Sequence, residues 1–173
     1  MDRFVPRGLV PALHALAGMI ALLVFTLLGG AGEPTAGALE SAILSAVNEV
    51  RRTHGLAPLE PDGALHAVAR AHSEAMGGRD VLAHRDPASG SLADRARAAG
   101  IAFRAIGENL ARSRGMTDPG IAVVQGWMQS PGHRRNILGS RFRKTGVGVW
   151  HDGTAYYVTQ VFLEPSRLAG ARR

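Results

Sequence analysis

Trp127-Met128-Gln129-Ser130-Pro131-Gly132-His133-Arg134-Arg135-Asn136-Ile137-Leu138 reads as two short helices meeting at a corner. Trp127 ends an apolar helical run. Ser130 is placed to accept a backbone N–H as an N-cap, and Pro131 suits the first turn of the next helix. Gly132 leaves the backbone uncrowded, so His133 falls in that first turn. The partial positive charge of a helix start disfavours imidazolium there and favours the neutral ring, the form that accepts a proton or binds a metal. A histidine that only closes a turn has the same local surroundings, so the rest of the chain must decide.

On either side of the corner the chain carries opposite periodicities. Upstream, Thr117-Asp118-Pro119 starts the helix, with Ile121, Val124 and Met128 facing inward at helical spacing and Trp127 bordering that stripe. Downstream, Gly146-Val147-Gly148-Val149-Trp150 and the run Ala155 to Phe162 carry β signals. They flank His151-Asp152-Gly153-Thr154, which predicts an antiparallel hairpin with an Asp-Gly turn. Gln160 lies within that second strand and needs a hydrogen-bond partner if buried.

Toward the N-terminus, Leu39, Ile43, Val47 and Val50 recur on one face of a first helix that stops near Gly55, with Asn48 and Arg52 read as surface residues. Asp62 is placed to cap a second helix, whose stripe Leu65, Val68, Ala69, His72 and Met76 makes His72 a core histidine. Gly77-Gly78 ends it. His84 follows in a loop between an apolar run and the turn signal Asp86-Pro87, where a histidine is better placed for a site than on a helix face. Ser91 caps a short helix from Leu92 to Ala99. Weak alternation from Ile101 to Ile106 then leads into Gly107-Glu108-Asn109-Leu110-Ala111. There Gly107 removes a side chain and brings Glu108 close to packed backbone.

A chain of 173 residues holds one domain of ordinary size with a full core. The formal charge of +6 comes almost wholly from arginines scattered in ones and twos, and Lys144 is the sole lysine. Dispersed charge with few aromatics reads as a solvated basic surface and argues against a nucleic-acid groove. Residues 1–32 carry Arg3 and Arg7 ahead of an uncharged apolar run from Ala15, the pattern of a signal peptide or an N-terminal membrane anchor. The expected partition is therefore 1–32 for targeting, 33–38 as linker, 39–164 as the domain and 165–173 as a basic tail. The protein is expected outside the cytoplasm, secreted or in the cell envelope, and to meet membrane only through its N-terminal segment. Without cysteine it forms no disulfide and is held together by packing alone.

His84, Glu108 and His133 are the polar residues in apolar or tightly turned contexts, with Ser130 and Gln160 behind them. Two imidazoles and a carboxylate match either a three-ligand metal site with water in the fourth position or a metal-free acid, base and orienting group. Their spacing favours neither. No His-Glu-x-x-His, paired-cysteine, Gly-x-Ser-x-Gly or phosphate-loop motif occurs.

Taken as an ordered set, Asn48-x-x-x-Arg52-x-x-x-Leu56, Ala71-His72-Ser73-x-x-Met76, His84-Arg85-Asp86-Pro87, Gly107 to Ala111, Trp127 to Leu138 and Thr159-Gln160-Val161-Phe162 closely resemble the bacterial branch of the CAP superfamily. These are the SCP-like relatives of cysteine-rich secretory, antigen 5 and pathogenesis-related proteins. The resemblance covers Leu39 to Glu164. It implies an α+β fold, an α-β-α sandwich with a small antiparallel sheet between helical layers and a large surface cleft. In the family that cleft holds two histidines and two acids, which in some members bind a divalent metal, often zinc. His84 and Glu108 match one histidine and one acid. Ser130 stands where the animal and plant pattern has the second acid, Tyr157 where it has the other histidine, and His133 is the histidine of the bacterial pattern.

The expected cleft is therefore His84, Glu108, His133, Ser130, Asn109 and Gln160. His84 and His133 are the expected ligands of zinc or another divalent metal, with Glu108 nearby. The leading expectation is a monomeric domain that binds an extracellular or envelope ligand (lipid, peptide or cell-wall component) without catalysis. The alternatives are a metal-assisted hydrolase or protease, with Glu108, His84 and His133 as its catalytic candidates, and a structural envelope protein.

Overall fold

Thr35 opens the first helix: its hydroxyl accepts the Ala38 N–H at 3.2 Å. The computed structural model describes residues 34–114 and 119–166. The segment expected to serve targeting, the expected helix start at Thr117-Asp118 and the expected basic tail beyond Ser166 lie outside the described residues. In chain order the elements are α1 (Ala36–Thr53), β1 (Glu60–Pro61), α2 (Gly63–Gly77), α3 (Leu92–Ala98), β2 (Phe103–Ser113), α4 (Pro119–Gln129), α5 (Pro131–Ile137), β3 (Lys144–His151) and β4 (Tyr156–Pro165). Half of the expected linker thus belongs to α1. The short β1 carries no sequence signal, and β2 runs unbroken through Gly107-Glu108-Asn109. Among the described residues no helix is long and apolar enough to cross a membrane.

The strands form one sheet in the order β1-β3-β4-β2, parallel between β1 and β3 and antiparallel elsewhere. Strand alternation splits the core in two. Val158 and Phe162 of β4, with Val147 and Val149 of β3, pack against Ile43 and Val47 of α1, Val124 and Trp127 of α4, and Ile137 of α5. Val161 and Leu163 turn the other way, onto Leu65 and Ala69 of α2. The expected α-β-α sandwich is the result.

Alternating glycines set how closely the second layer approaches. The valines of β3 face α1, so Gly146 and Gly148 face α2. A Cβ on Gly146 would lie 2.2 Å from the His66 nitrogen, and one on Gly148 2.2 Å from the Arg70 nitrogen. The helix backbone therefore rests directly on the strand.

Side chains meet backbone groups left unpaired on β2 and on the part of β3 beyond β1, which blunts their tendency to pair with other chains. On β2 the carbonyls of Glu108 and Leu110 point the same way. Asn136 Nδ2–H donates to the first at 3.1 Å and Trp127 Nε1–H to the second at 2.8 Å. On β3 the Val149 N–H donates to Glu40 Oε1 at 3.0 Å. Glu40 of α1 is held by Arg70 of α2 through two 2.9 Å bonds, so the pair wraps the edge from both layers.

Two local expectations are corrected. Ile121 is exposed, because the buried stripe of α4 runs through Val123, Val124 and Trp127. Asn48 is half-buried and structural: its amide holds both backbone groups of Leu59, at 3.1 and 2.8 Å. Arg52 is on the surface as expected, and the arginine that turns inward is its neighbour Arg51. Arg51 donates to the Ile137 carbonyl at 2.7 Å and so caps the C-terminus of α5.

Candidate functional site

Glu108 belongs to the strand face that looks toward α3. Its carboxylate is 3% exposed and both oxygens are taken. Arg95 Nη2–H of α3 donates to Oε1, and His84 Nδ1 lies 2.8 Å from Oε2. Arg95, itself 5% exposed, also donates through Nη1 to the His84 carbonyl at 3.2 Å and the Gly90 carbonyl at 3.0 Å. Arg95 thus grips His84 by its backbone and, through Glu108, by its ring. Since an ionised carboxylate only accepts, His84 carries its proton on Nδ1 and turns Nε2 outward from a side chain that is 63% exposed.

The loop bearing His84 is stiffened from below. Asp86 Oδ1 accepts the N–H groups of Ala88 and Ser89, each at 2.8 Å, and Arg79 binds Oδ2. The Ser89 N–H, with those of Ala88 and the Arg79 guanidinium, holds the Asp86 carboxyl far below the usual carboxylate range. Asp86 and Gly90 exchange backbone bonds at 2.9 Å.

His133 is placed from the opposite face of the same strand. Asn109 Nδ2–H donates to the His133 carbonyl at 3.2 Å, while Asn109 Oδ1 accepts from Asn136 at 2.9 Å. The His133 ring lies 6.4 Å from the Trp127 ring, centre to centre. Burial first, and then the charge of His84, lower its pKa from the ordinary imidazole value, consistent with the expected neutral ring.

Four of the expected residues border two depressions along the β2 edge. Glu108 and His84 border a depression of about 370 Å³ with Ser91, Leu92 and Ile106. His133 and Ser130 border another, of about 330 Å³, with Leu110, Val123 and Trp127. No hydrogen bond links His133 to His84 or Glu108 among the described residues. Ser130 occupies the N-cap position of α5, but its side chain makes no capping bond. Asn109 and Gln160 are 0% exposed. They are supports and present nothing to a ligand, and Gln160 Nε2–H reaches only Thr145 Oγ1, at 3.2 Å. Tyr157 is buried and donates to Asp80.

Arg95 and Asn136 are the residues that sequence reading missed as site builders. Arg95 sits in an ordinary helical arginine pattern, with no local signal of burial. Asn136 lies inside the corner motif, with no local sign of its contact with Gly107, where a Cβ would lie 2.9 Å from Asn136 Oδ1.

The donor set does not fit a resident catalytic zinc, which takes three protein ligands. Glu108 has both oxygens engaged, leaving two imidazoles. Among the described residues no three His, Cys, Asp or Glu side chains converge on a metal position.

Fold and site motifs define a class, and comparison with known proteins gives its name. Residues 44–162 match the CAP, or cysteine-rich secretory protein, family, and the chain belongs to it. It is 36% identical over 126 residues to the uncharacterized protein YkwD of Bacillus subtilis, covering 73% of this chain and 47% of that protein. An extracellular SCP-domain protein from Bacillus anthracis is 33% identical with a TM-score of 0.68, over 75% of this chain and 41% of that one. An outer surface protein from Borrelia burgdorferi shares the fold at 21% identity and TM-score 0.68, over 77% of this chain and 97% of that one. The chain spans less than half the length of the two Bacillus proteins.

Proposed function

We propose that this CAP domain acts outside the cytoplasm as a binding module, and that it engages an extracellular or envelope ligand along the β2 edge with His84 Nε2 as its central contact. The observation that carries this reading is the Arg95–Glu108–His84 ring. It spends two buried charges on fixing one exposed imidazole, an arrangement suited to a preorganised hydrogen-bonding contact. Neutral His133 on the adjoining depression extends the same surface. An extracellular structural relative and an outer-surface one support the location.

A hydrolase is the second reading, favoured by the resemblance of Glu108–His84 to a base and its orienting acid. Binding is taken first because the Arg95–Glu108–His84 contacts supply a fixed imidazole. Divalent metal is not part of the proposal.

The test titrates the full-length chain with three soluble probes: a disaccharide muropeptide, a tripeptide and dihexanoyl phosphatidylglycerol. One probe class is expected to bind, to weaken about tenfold or more in His84→Ala, and to be recovered intact by mass spectrometry. Recovery of a cleaved probe supports the hydrolase instead. Binding of none, or equal binding by His84→Ala, sinks the reading.

A further inference from the structure

From the last turn of α5 to the start of β3, residues 134–144 carry Arg134, Arg135, Arg141, Arg143 and Lys144 and no acidic residue. Along the sequence these charges come in ones and twos, but the fold closes them onto one bend. The Gly139 N–H donates to the Asn136 carbonyl and the Phe142 N–H to the Gly139 carbonyl, both at 3.2 Å, so two successive turns join helix to strand. Beneath them Arg51 donates to the carbonyls of Ile137 at 2.7 Å, Gly139 at 3.2 Å and Phe142 at 3.4 Å. Three of the bend's oxygens are thus turned inward and taken. All four arginines of the bend are exposed.

Carboxylates do not balance this charge. Elsewhere exposed arginines are paired, as Arg52 is with Glu49, Arg70 with Glu40, Arg97 with Asp94 and Arg104 with Glu164. Lys144 has Asp62 at 2.9 Å. Among the described residues no carboxylate lies within ion-pair distance of Arg134, Arg135, Arg141 or Arg143. Burial and then the Arg143 charge lower the Arg51 pKa, a mark of like charges held together without compensation. An anionic partner relieves that repulsion.

The placement of the arginines selects the anion. They start from the end of α5, the turn and the approach to β3, so one small anion cannot meet them together, whereas a flexible chain of repeated charges can. Guanidinium forks match phosphate oxygens. The bend's one aromatic residue, Phe142, is 2% exposed and lies under the Arg141 guanidinium, so no ring is offered to stack a nucleobase. The exposed large apolar residues, Val81, Leu82, Ile121 and Trp150, belong to other segments, which leaves the bend nothing to insert into a bilayer.

We propose that this bend binds a flexible phosphodiester polymer without bases, of which poly(glycerol phosphate) is the simplest. Its phosphates meet Arg134, Arg135, Arg141 and Arg143. The surface does not include His84, so this proposal and the binding role of His84 stand or fall separately.

Fluorescence anisotropy of labelled poly(glycerol phosphate) with the full-length chain provides the test. Binding is expected at low salt and is expected to weaken about tenfold or more in Arg134→Gln/Arg135→Gln/Arg141→Gln. The slope of log affinity against log salt is expected to flatten by about two, at roughly 0.7 per lost contact as in single-stranded chains. Arg52→Gln/Arg97→Gln/Arg104→Gln removes as much charge from paired arginines and is expected to keep the affinity within about threefold, because distant charges are screened. Arg134→Gln/Arg135→Gln, confined to the helix surface, repeats the test without disturbing Phe142. Equal losses in the two triple variants would leave net charge as the whole cause and overturn the proposal. Absence of binding at low salt overturns it too. So does poly-glutamate that binds as tightly, or oligothymidylate that binds more tightly, since carboxylates or bases would then suffice.

Discussion

Glu108 and Asn109 are neighbours on β2, and strand alternation sends them to opposite faces of the sheet. Glu108 meets Arg95 and His84 on the α3 side, while Asn109 holds the His133 carbonyl on the α5 side. The two histidines thus reach the β2 edge from different layers, which is why they border separate depressions.

Removing the charge of Glu108 tests what it does for its partners. Glu108→Gln leaves Arg95 buried without a counter-charge and is expected to cost about 3–5 kcal/mol in denaturant unfolding. The double variant Arg95→Met/Glu108→Gln is expected to lose less than the sum of the singles. Strict additivity would show that the pair is not coupled.

The β2 edge offers a second test. Trp127→Phe keeps an aromatic ring but loses the indole donor to the Leu110 carbonyl. A loss of about 1–3 kcal/mol is expected, read as a lower urea midpoint at an unchanged slope. An unchanged midpoint would mean that water replaces the donor without cost.

Gly148→Ala places a Cβ against the backbone of Arg70. Helix α2 must lift from β3, and a loss of about 3 kcal/mol or more is expected in thermal unfolding. Gly153→Ala, at φ +93° but with open space around it, carries only backbone strain and is expected to cost less. Equal losses would remove close packing as the reason for the glycine.

Acid should weaken the domain through His72 and His133. Burial lowers the pKa of both from 6.5, aided at His133 by His84; at His72 the nearby Glu108 and Asp86 oppose the shift and Arg95 adds to it. A lowered folded pKa means that the unfolded chain takes up protons first. The full contribution is therefore present above the ordinary value and is lost as pH falls through 6.5 toward the folded values. Urea unfolding at pH 7.5 and 5.5 is expected to show the drop, with a smaller drop in His133→Asn. A domain more stable at 5.5 would contradict the sign.

Zinc supplies a final check on the donor count. With two imidazoles free and Glu108 occupied, calorimetric titration of the full-length chain is expected to show no binding tighter than micromolar, about −8 kcal/mol. Tighter binding that His84→Ala abolishes would show that Glu108 leaves Arg95 for the metal.

Much of the fold is legible because its signals are local. Helical spacing marks α1 and α2, Asp62 and Ser91 cap as their residue types predict, and Asp152-Gly153 turns the β3–β4 hairpin. The site is legible only in outline. His84, Glu108 and His133 stand out because each sits in an apolar or tightly turned context. Arg51 and Arg52 are adjacent and identical in type, and nothing local says which one turns inward. Ile121 and Val123 are likewise separated only by how α4 rotates on its neighbours.

Periodicity and capping by themselves determined most of the helices, the β3–β4 hairpin and which polar residues merit attention, since propensity and capping act over a few residues, and the ordered motifs carried the resemblance to the family. Tertiary structure alone decided which arginine becomes the buried clamp and which amides become supports. It alone decided that alternation along β2 sends the residues that hold His84 and His133 to opposite faces of the sheet. Burial and hydrogen-bond partners from other elements set those outcomes, as in the Glu108–His84 and Asn109–His133 contacts, and no local pattern encodes them.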